Sequence, residues 1–243
     1  MTKNFLLGIC LIVAAYLLGD SFYDAKKLDN IRNMTIEVKG YASKNIESDF
    51  ADWTGSFSVR SQNLQDAYSQ LNIVKVKVEE QLKKLGAKDG QMKFSALETI
   101  KIFNEVTTPN GYQQTSEVIA YELIQTVSIE SNDINIIEKI SKLSTNLISE
   151  GINFYSYAPR YFYTRIDNLK LQMLAEAAKD AKNRAEQLAE NTDADVGNLI
   201  SASQGIFQIN PKNSQEVSDY GIYDTSTKLK TISAVITAQF EVK

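Results

Sequence analysis

Apolar and polar residues alternate along most of the chain, and three stretches replace that rhythm with a helical one. Over residues 34–42, Ile36, Val38, Gly40 and Ala42 fall on one face and Glu37, Lys39 and Tyr41 on the other, the two-residue period of a half-buried strand. Residues 50–61 repeat it, with Trp53, Gly55, Phe57 and Val59 opposed to Thr54, Ser56, Ser58 and Arg60. Asn63 then offers an N-cap, and Leu64, Ala67, Leu71, Val74, Val78, Leu82 and Leu85 step by three and four as far as Gly86. That spacing predicts a helix over 64–85 with a glycine stop. Strands are predicted over 91–106 and 113–130, joined at Pro109-Asn110-Gly111, which is turn chemistry. A second helix is expected over 133–150, apolar at Ile136, Ile137, Ile140, Leu143, Leu147 and Ile148, and ended by Gly151. An aromatic strand over 152–164 follows. The third helix, 167–191, has Leu171, Leu174, Ala178, Ala181, Ala185 and Leu188 as its expected inner stripe. A strand over 199–209, a polar excursion over 210–227 and a last alternating strand over 228–242 complete the chain.

The order is β-β-α-β-β-α-β-α-β-β, with two strand–helix–strand–strand units around the first and third helices and no residue-level repeat between them. Such an order predicts an α+β fold, with antiparallel-rich sheets and three helices packed on one face.

The first residues read as an address. Lys3 precedes an apolar run over 5–18, closed by Gly19 and Asp20. As a helix, residues 5–19 would span only about 22 Å, against the ~30 Å of a hydrocarbon core. Two readings stand: a cleaved signal peptide with Val13-Ala14-Ala15 at the cleavage site, or a short uncleaved anchor with Phe22 and Tyr23 at the interface. The anchor is favoured, because cleavage after Ala15 leaves Tyr16-Leu17-Leu18 at the mature N-terminus. The expected organisation is a signal anchor or signal peptide over 1–23, a tether over 24–33 and a domain over 34–243. The domain would be anchored to the inner membrane through residues 5–19 and lie in the periplasm or outside the cell. A cleaved secreted form is the alternative.

Composition then narrows the chemistry. The 243 residues include no histidine, which removes the commonest general base and metal ligand and excludes Ser-His-Asp and Cys-His nucleophile systems. The single cysteine, Cys10, lies inside the apolar leader, so no intrachain disulfide or thiolate cluster can form. A net charge of −4 without a basic stripe argues against nucleic acid. Lys170, Lys179, Lys182 and Arg184 alternate with Glu176, Asp180 and Glu186, a balanced solvated helix face. No catalytic residue, metal ligand or cofactor is assigned.

Three features stand out as candidate surfaces. Tyr155, Tyr157, Tyr161 and Tyr163 share one face of the aromatic strand by alternation, which suits a subunit interface or a platform for glycan or peptide. The excursion over 210–227, with Phe207 and Gln208 before it and Asp219 and Tyr220 within it, is long enough to be a ligand loop or a flap guarding a sheet edge. The carboxylate pairs Asp49 with Asp52, and Asp219 with Asp224, would do acid–base work only if their pKa values were pushed apart; solvated surface groups are the default reading.

Several stretches together resemble the SIMPL-domain family, which includes the 26-kDa periplasmic immunogenic protein of certain bacteria. They are Ile36-Glu37-Val38-Lys39-Gly40-Tyr41-Ala42, where the family often has Gly-x-Gly; Ser48-Asp49-Phe50-Ala51, resembling Pro-Asp-x-Ala; the alanine-rich helix over 175–189 followed by Gly197; and Gly205-Ile206-Phe207-Gln208-Ile209-Asn210-Pro211 continuing to Val217-Ser218-Asp219-Tyr220-Gly221. Tyr121-Glu122-Leu123-Ile124-Gln125 and Pro159-Arg160-Tyr161-Phe162-Tyr163 resemble a membrane-anchored bacterial subgroup. The resemblance implies an α+β fold, an envelope location and, for some members, large homo-oligomers. It implies no known reaction. The expected function is therefore non-enzymatic: a tethered protein that self-associates and scaffolds or protects the envelope, or else a module binding a glycan or peptide ligand.

Overall fold

The computed structural model describes residues 15–19, residue 26 and residues 34–243 except 109 and 110, with the side chains of 106–114 left out of the description. Residues 15–19 are helical; the rest of the expected leader lies outside the described residues. Among the described residues no helix is long and apolar enough to cross a membrane.

Strands β1 (Thr35–Glu47) and β2 (Phe50–Ser61) form where the alternation predicts them, and helix α1 (Leu64–Leu85) follows. The Asn63 side chain accepts from the backbone N–H groups of Gln65 and Asp66, and Gly86 closes the helix at φ 114°, a left-handed geometry that costs glycine no Cβ clash. The region 91–106 divides into β3 (Met92–Phe94) and β4 (Glu98–Thr108), and β5 (Gly111–Ser131) returns along both. Helix α2 (Ile134–Leu143), capped by Asp133, tightens into a 3-10 turn over Ser144–Glu150 and stops at Gly151. Two short strands, β6 (Asn153–Ser156) and β7 (Arg160–Phe162), replace the single aromatic strand. Pro159 between them has no N–H to give a ladder. Helix α3 (Ile166–Glu190), β8 (Val196–Gln204), β9 (Gln208–Pro211), β10 (Ile222–Tyr223) and β11 (Leu229–Val242) complete the fold.

These elements build two sheets of an α+β protein. In one, the order is β1-β11-β9-β10, with β8 also paired to β11; in the other it is β3-β5-β2-β6, with β4 on β5 and β7 on β2. Each sheet has its own core. α1, α2 and the 3-10 turn cover the second sheet, burying Leu71, Val78, Leu82, Ile137, Ile140 and Leu147 against Trp53, Phe57, Leu123 and Ile129. Each such side chain contributes about 1.5–3 kcal/mol of transfer free energy as an upper value. α3 covers the first sheet with Leu169, Met173, Ala177, Ala181 and Ala185, packed on Val38, Ala42, Ile232, Ala234 and Ile236.

The inward stripe of α3 differs from the expected one. Leu171 and Leu188 are exposed, while Leu169, Met173, Ala177 and Ala189 are buried. Helix and sheet come so close at Gly40 that a Cβ there would lie 2.0 Å from the carbonyl oxygen of Ala177. A row of alanines four apart permits that approach; leucines on the same line would hold the helix away. Fit, rather than summed hydrophobicity, chose the face.

The two sheets meet at the Ser48-Asp49 link between β1 and β2. Ser48 N–H donates to Lys228 O (3.0 Å), Asp49 N–H to Phe162 O (2.9 Å) and Tyr161 N–H to Thr225 O (2.8 Å). Within the second core, the fully buried hydroxyl of Ser144 has no hydrogen-bond partner among the described residues. Replacing it by alanine removes a desolvated polar atom and leaves nothing unpaired. Ser144→Ala is expected to raise stability by about 1 kcal/mol, seen as a higher urea midpoint at unchanged slope; a lower midpoint would show that the hydroxyl is satisfied.

Candidate functional site

The polar excursion is an organised structure. β9 pairs with β11 in the register Gln208↔Ser233, Ile209↔Ile232 and Asn210↔Thr231. Ile209 joins the core beneath α3, so alternation turns Gln208 and Asn210 to the opposite face of the sheet. There residues 212–221 bend over them as a strap, and β10 then pairs in parallel with the outer edge of β9. The strap is closed by a turn in which Gly221 N–H donates to Ser218 O at 3.1 Å. Gln208 Nε2 donates to Ser218 O and Asn210 Nδ2 to Glu216 O, each at 2.7 Å. Gln208 and Asn210 are only 7% and 6% exposed. Their amide oxygens have no partner among the described residues. Strap and sheet enclose an open cleft of about 490 Å³, whose lining includes Tyr41, Ile206, Thr231, Ser233 and Val235 and contains no lysine or arginine.

Behind the strap lies the most deeply buried ion pair of the described residues. Lys230 sits in the inward phase of β11 and its side chain is 1% exposed, against 7% for Asp224. Its Nζ donates to Asp224 Oδ2 at 3.1 Å and to the Asp224 main-chain oxygen at 2.6 Å. Asp224 also accepts from Ser226 N–H, Ser226 Oγ and Thr227 Oγ1. Burial opposes the charge on Asp224, but the donors of Thr227, Ser226 and Lys230 outweigh it and hold its carboxyl well below the usual carboxylate range. The pair anchors the turn that leads from β10 into β11.

Asp49 and Asp52 are both engaged by fixed donors. Asp49 accepts from Thr164 N–H at 2.7 Å, Thr164 Oγ1 at 3.1 Å and Arg165 Nε at 3.1 Å. Burial raises its pKa, and these donors at the start of α3 bring it below the ordinary value. Asp52 accepts from both Nε and Nη2 of Arg160. A general acid needs the reverse of the Asp49 environment, a carboxyl kept neutral near working pH. Asp219 is exposed at the rim of the cleft, and its expected pairing with Asp224 gives way to the Asp224–Lys230 contact.

The four tyrosines do not share a face. Tyr155 and Tyr157 are exposed and meet edge to face at 4.6 Å. Tyr161 is half-buried against the core of the second sheet, where burial and then Glu138 raise its pKa. Tyr163 is half-buried against the other core, under the Arg165 guanidinium at 5.3 Å. None of the four lines the cleft. Phe207, Gln208, Asp219 and Tyr220, by contrast, are gathered at the strap: Phe207 packs on the first-sheet core with Lys170 Nζ 5.9 Å from its ring, and Tyr220 stands 96% exposed. Sequence reading missed Asn210, Asp224 in its paired role, and Lys230. The signal for Lys230 was present: a lone lysine in the apolar phase of an alternating strand.

Among solved structures, the chain is similar to an amidase of the hydantoinase/carbamoylase family from Burkholderia phymatum, at 9% identity and a TM-score of 0.27, covering 56% of this chain and 33% of that one. The chain thus spans about a third of that protein's length, and a likeness this slight carries no functional argument. No curated protein matches. The sequence does match the family described as SIMPL, protein of unknown function (DUF541), over residues 36–240, a span that takes in both sheets, α3, the strap and the buried ion pair, and the chain therefore belongs to the SIMPL family.

Proposed function

We propose that this protein is a non-enzymatic, membrane-tethered extracytoplasmic module that self-associates through strand edges and so scaffolds or protects envelope components. The observation that supports it best is the outer edge of β1. Among the described residues β1, 13 residues long, pairs only with β11. Val242 N–H donates to Met34 O, whereas Tyr41 N–H points away from β11 and is taken by Asp180 Oδ2 at 2.8 Å. In an antiparallel pair the direction alternates, so Lys39, Ser43 and Asn45 present their main-chain groups outward like Tyr41. Such an edge is a template for another strand. One guard stands at a single position of it: Asp180, from α3, fills the place a partner's carbonyl would take at Tyr41.

Beyond Ser61↔Tyr121, where β2 ends, β4 and β5 continue as a two-stranded ribbon. A two-stranded ribbon is marginal alone, and this one carries the exposed Ile119, which favours contact with another molecule. Tethering and an extracytoplasmic location rest on the apolar leader with its preceding lysine. Non-enzymatic action rests on the missing histidine and the anion-holding contacts of Asp49 and Asp224.

Asp180→Ala, which frees the Tyr41 N–H, is expected to raise the mass-average size of the detergent-solubilised full chain at a given concentration, measured by size-exclusion with light scattering. Adding Ser43→Pro, which blocks the same edge without touching the β11 ladder, is expected to return it to the wild-type value or below. A strictly monomeric protein at high concentration in all three forms would refute edge-mediated self-association.

A further inference from the structure

Two side-chain amides two residues apart on a strand meet two main-chain carbonyls two residues apart on the strap. Gln208 takes Ser218 O and Asn210 takes Glu216 O, so the strap runs antiparallel to β9 as a laid-over strand would. A carboxamide carries a donor and an acceptor side by side, the complement of the C=O and N–H of an extended peptide. Here only the donor half is used. The strap turns its own N–H groups elsewhere: Glu216 N–H donates to Ser214 Oγ and Tyr220 N–H to Ser218 Oγ. Both amide oxygens are left buried and unpartnered, an uncommon state for polar atoms this enclosed.

The strap is also weakly held. Val217 and Tyr220 are 79% and 96% exposed, so it gains little from apolar burial. Segments fixed by a few polar contacts open at small free-energy cost. The cleft beside it offers hydroxyls at Thr231 and Ser233 and apolar surface at Tyr41 and Val235, while its acidic groups, Glu216 and Asp219, belong to the strap itself.

We propose that Gln208 and Asn210 form a binding site for an extended peptide main chain, and that the strap is its internal occupant. An incoming peptide displaces residues 214–219 and gives each amide both a carbonyl and an N–H, satisfying the oxygens the strap leaves bare. The ligand is thus an extended or terminal segment of another polypeptide, read through its backbone. The site lies on the face of the sheet and not along the outer main-chain edge of β1, although Tyr41 belongs to both, and it does not depend on self-association.

The test uses the full chain in detergent with residues 212–221 replaced by a four-residue Gly/Ser link, and a fluorescein-labelled synthetic peptide copying residues 212–221. The strap-free chain is expected to bind the probe at least ten-fold more tightly than wild type, by anisotropy. Gln208→Met with Asn210→Leu should abolish the gain. An unlabelled neutral peptide of alternating Thr and Val should compete. Its analogue with ester links in place of the peptide N–H groups should compete at least five-fold less well. Equal probe binding with and without the strap, or equal competition by peptide and ester, overturns the proposal. So does competition by maltotriose in place of peptide, which would assign the cleft to a glycan. Should the strap-free chain not fold, hydrogen exchange on wild type decides: saturating competitor peptide must speed exchange in 214–220, and no change there overturns the displacement.

Discussion

Gly40→Ala is expected to cost about 3 kcal/mol or more, the upper part of the range for overpacked cores. The new methyl would lie 2.0 Å from Ala177 O, 2.6 Å from Ala181 N and 2.7 Å from Ala181 Cβ. Two of these atoms are helix backbone, which cannot rotate out of the way as a side chain can. α3 would have to lift from β1, and Val38, Ala42, Ala181 and Ala185 would lose contact together. Urea unfolding of wild type and variant measures the loss; under 1 kcal/mol would mean the helix is free to shift. The double variant Gly40→Ala with Ala181→Gly distinguishes the cause. It removes the Cβ contact but leaves the carbonyl of Ala177, so it is expected to recover little. Full recovery would place the crowding in the side chain.

Breaking the Asp224–Lys230 pair is expected to cost about 3–5 kcal/mol, the range for removing one partner of a buried ion pair. The two sides are not equivalent. Without Lys230, Asp224 keeps Ser226 and Thr227 as donors. Without the Asp224 carboxylate, the Lys230 ammonium, 1% exposed, keeps only the main-chain oxygen at residue 224. Asp224→Ala should therefore destabilise more than Lys230→Met, and the double variant should lose well under the sum of the two single losses. Equal single losses that simply add would contradict the pairing.

The sign of the pH dependence follows from the direction of the shift. The Asp224 carboxyl lies below its ordinary value of 3.8 in the folded chain, so the unfolded chain takes up a proton first as pH falls. The stabilisation is fully present above the unfolded value and is lost as pH drops below about 4 towards the folded one. Stability of wild type is expected to decline steeply there and that of Asp224→Asn less steeply. Some slope persists in the variant, because Asp49 and Asp180 are lowered too, the latter by the Tyr41 N–H and then Arg184.

Much of this was legible from residue order. The strands over 34–42 and 50–61, the helix over 64–85 with Asn63 and Gly86 at its ends, and the last strand all appear close to where their periods place them. The strap region was marked as unusual by its length and polarity, and Gln208, Asp219 and Tyr220 are found there. The breaks within strands were less legible. Tyr157-Ala158-Pro159 parts β6 from β7, and an equally short interruption over 205–207 parts β8 from β9. In both cases each half pairs with a different stretch of one partner strand or a different depth of the sheet.

By itself, the sequence determined which residues face inward along β1, β2 and β11, where helices stop, and which chemistries lack their residue types. Those follow from bond geometry and composition, which need no distant partner. Only the tertiary structure decided the rotation of α3, the neutralisation of Asp49 by Arg165 across 116 positions, the burial of Lys230 against Asp224, and the strap laid over Gln208 and Asn210. Each of these is a choice among local conformations of similar energy. Contacts between chain segments that lie far apart, some allowing only an alanine's width between backbones, make the choice.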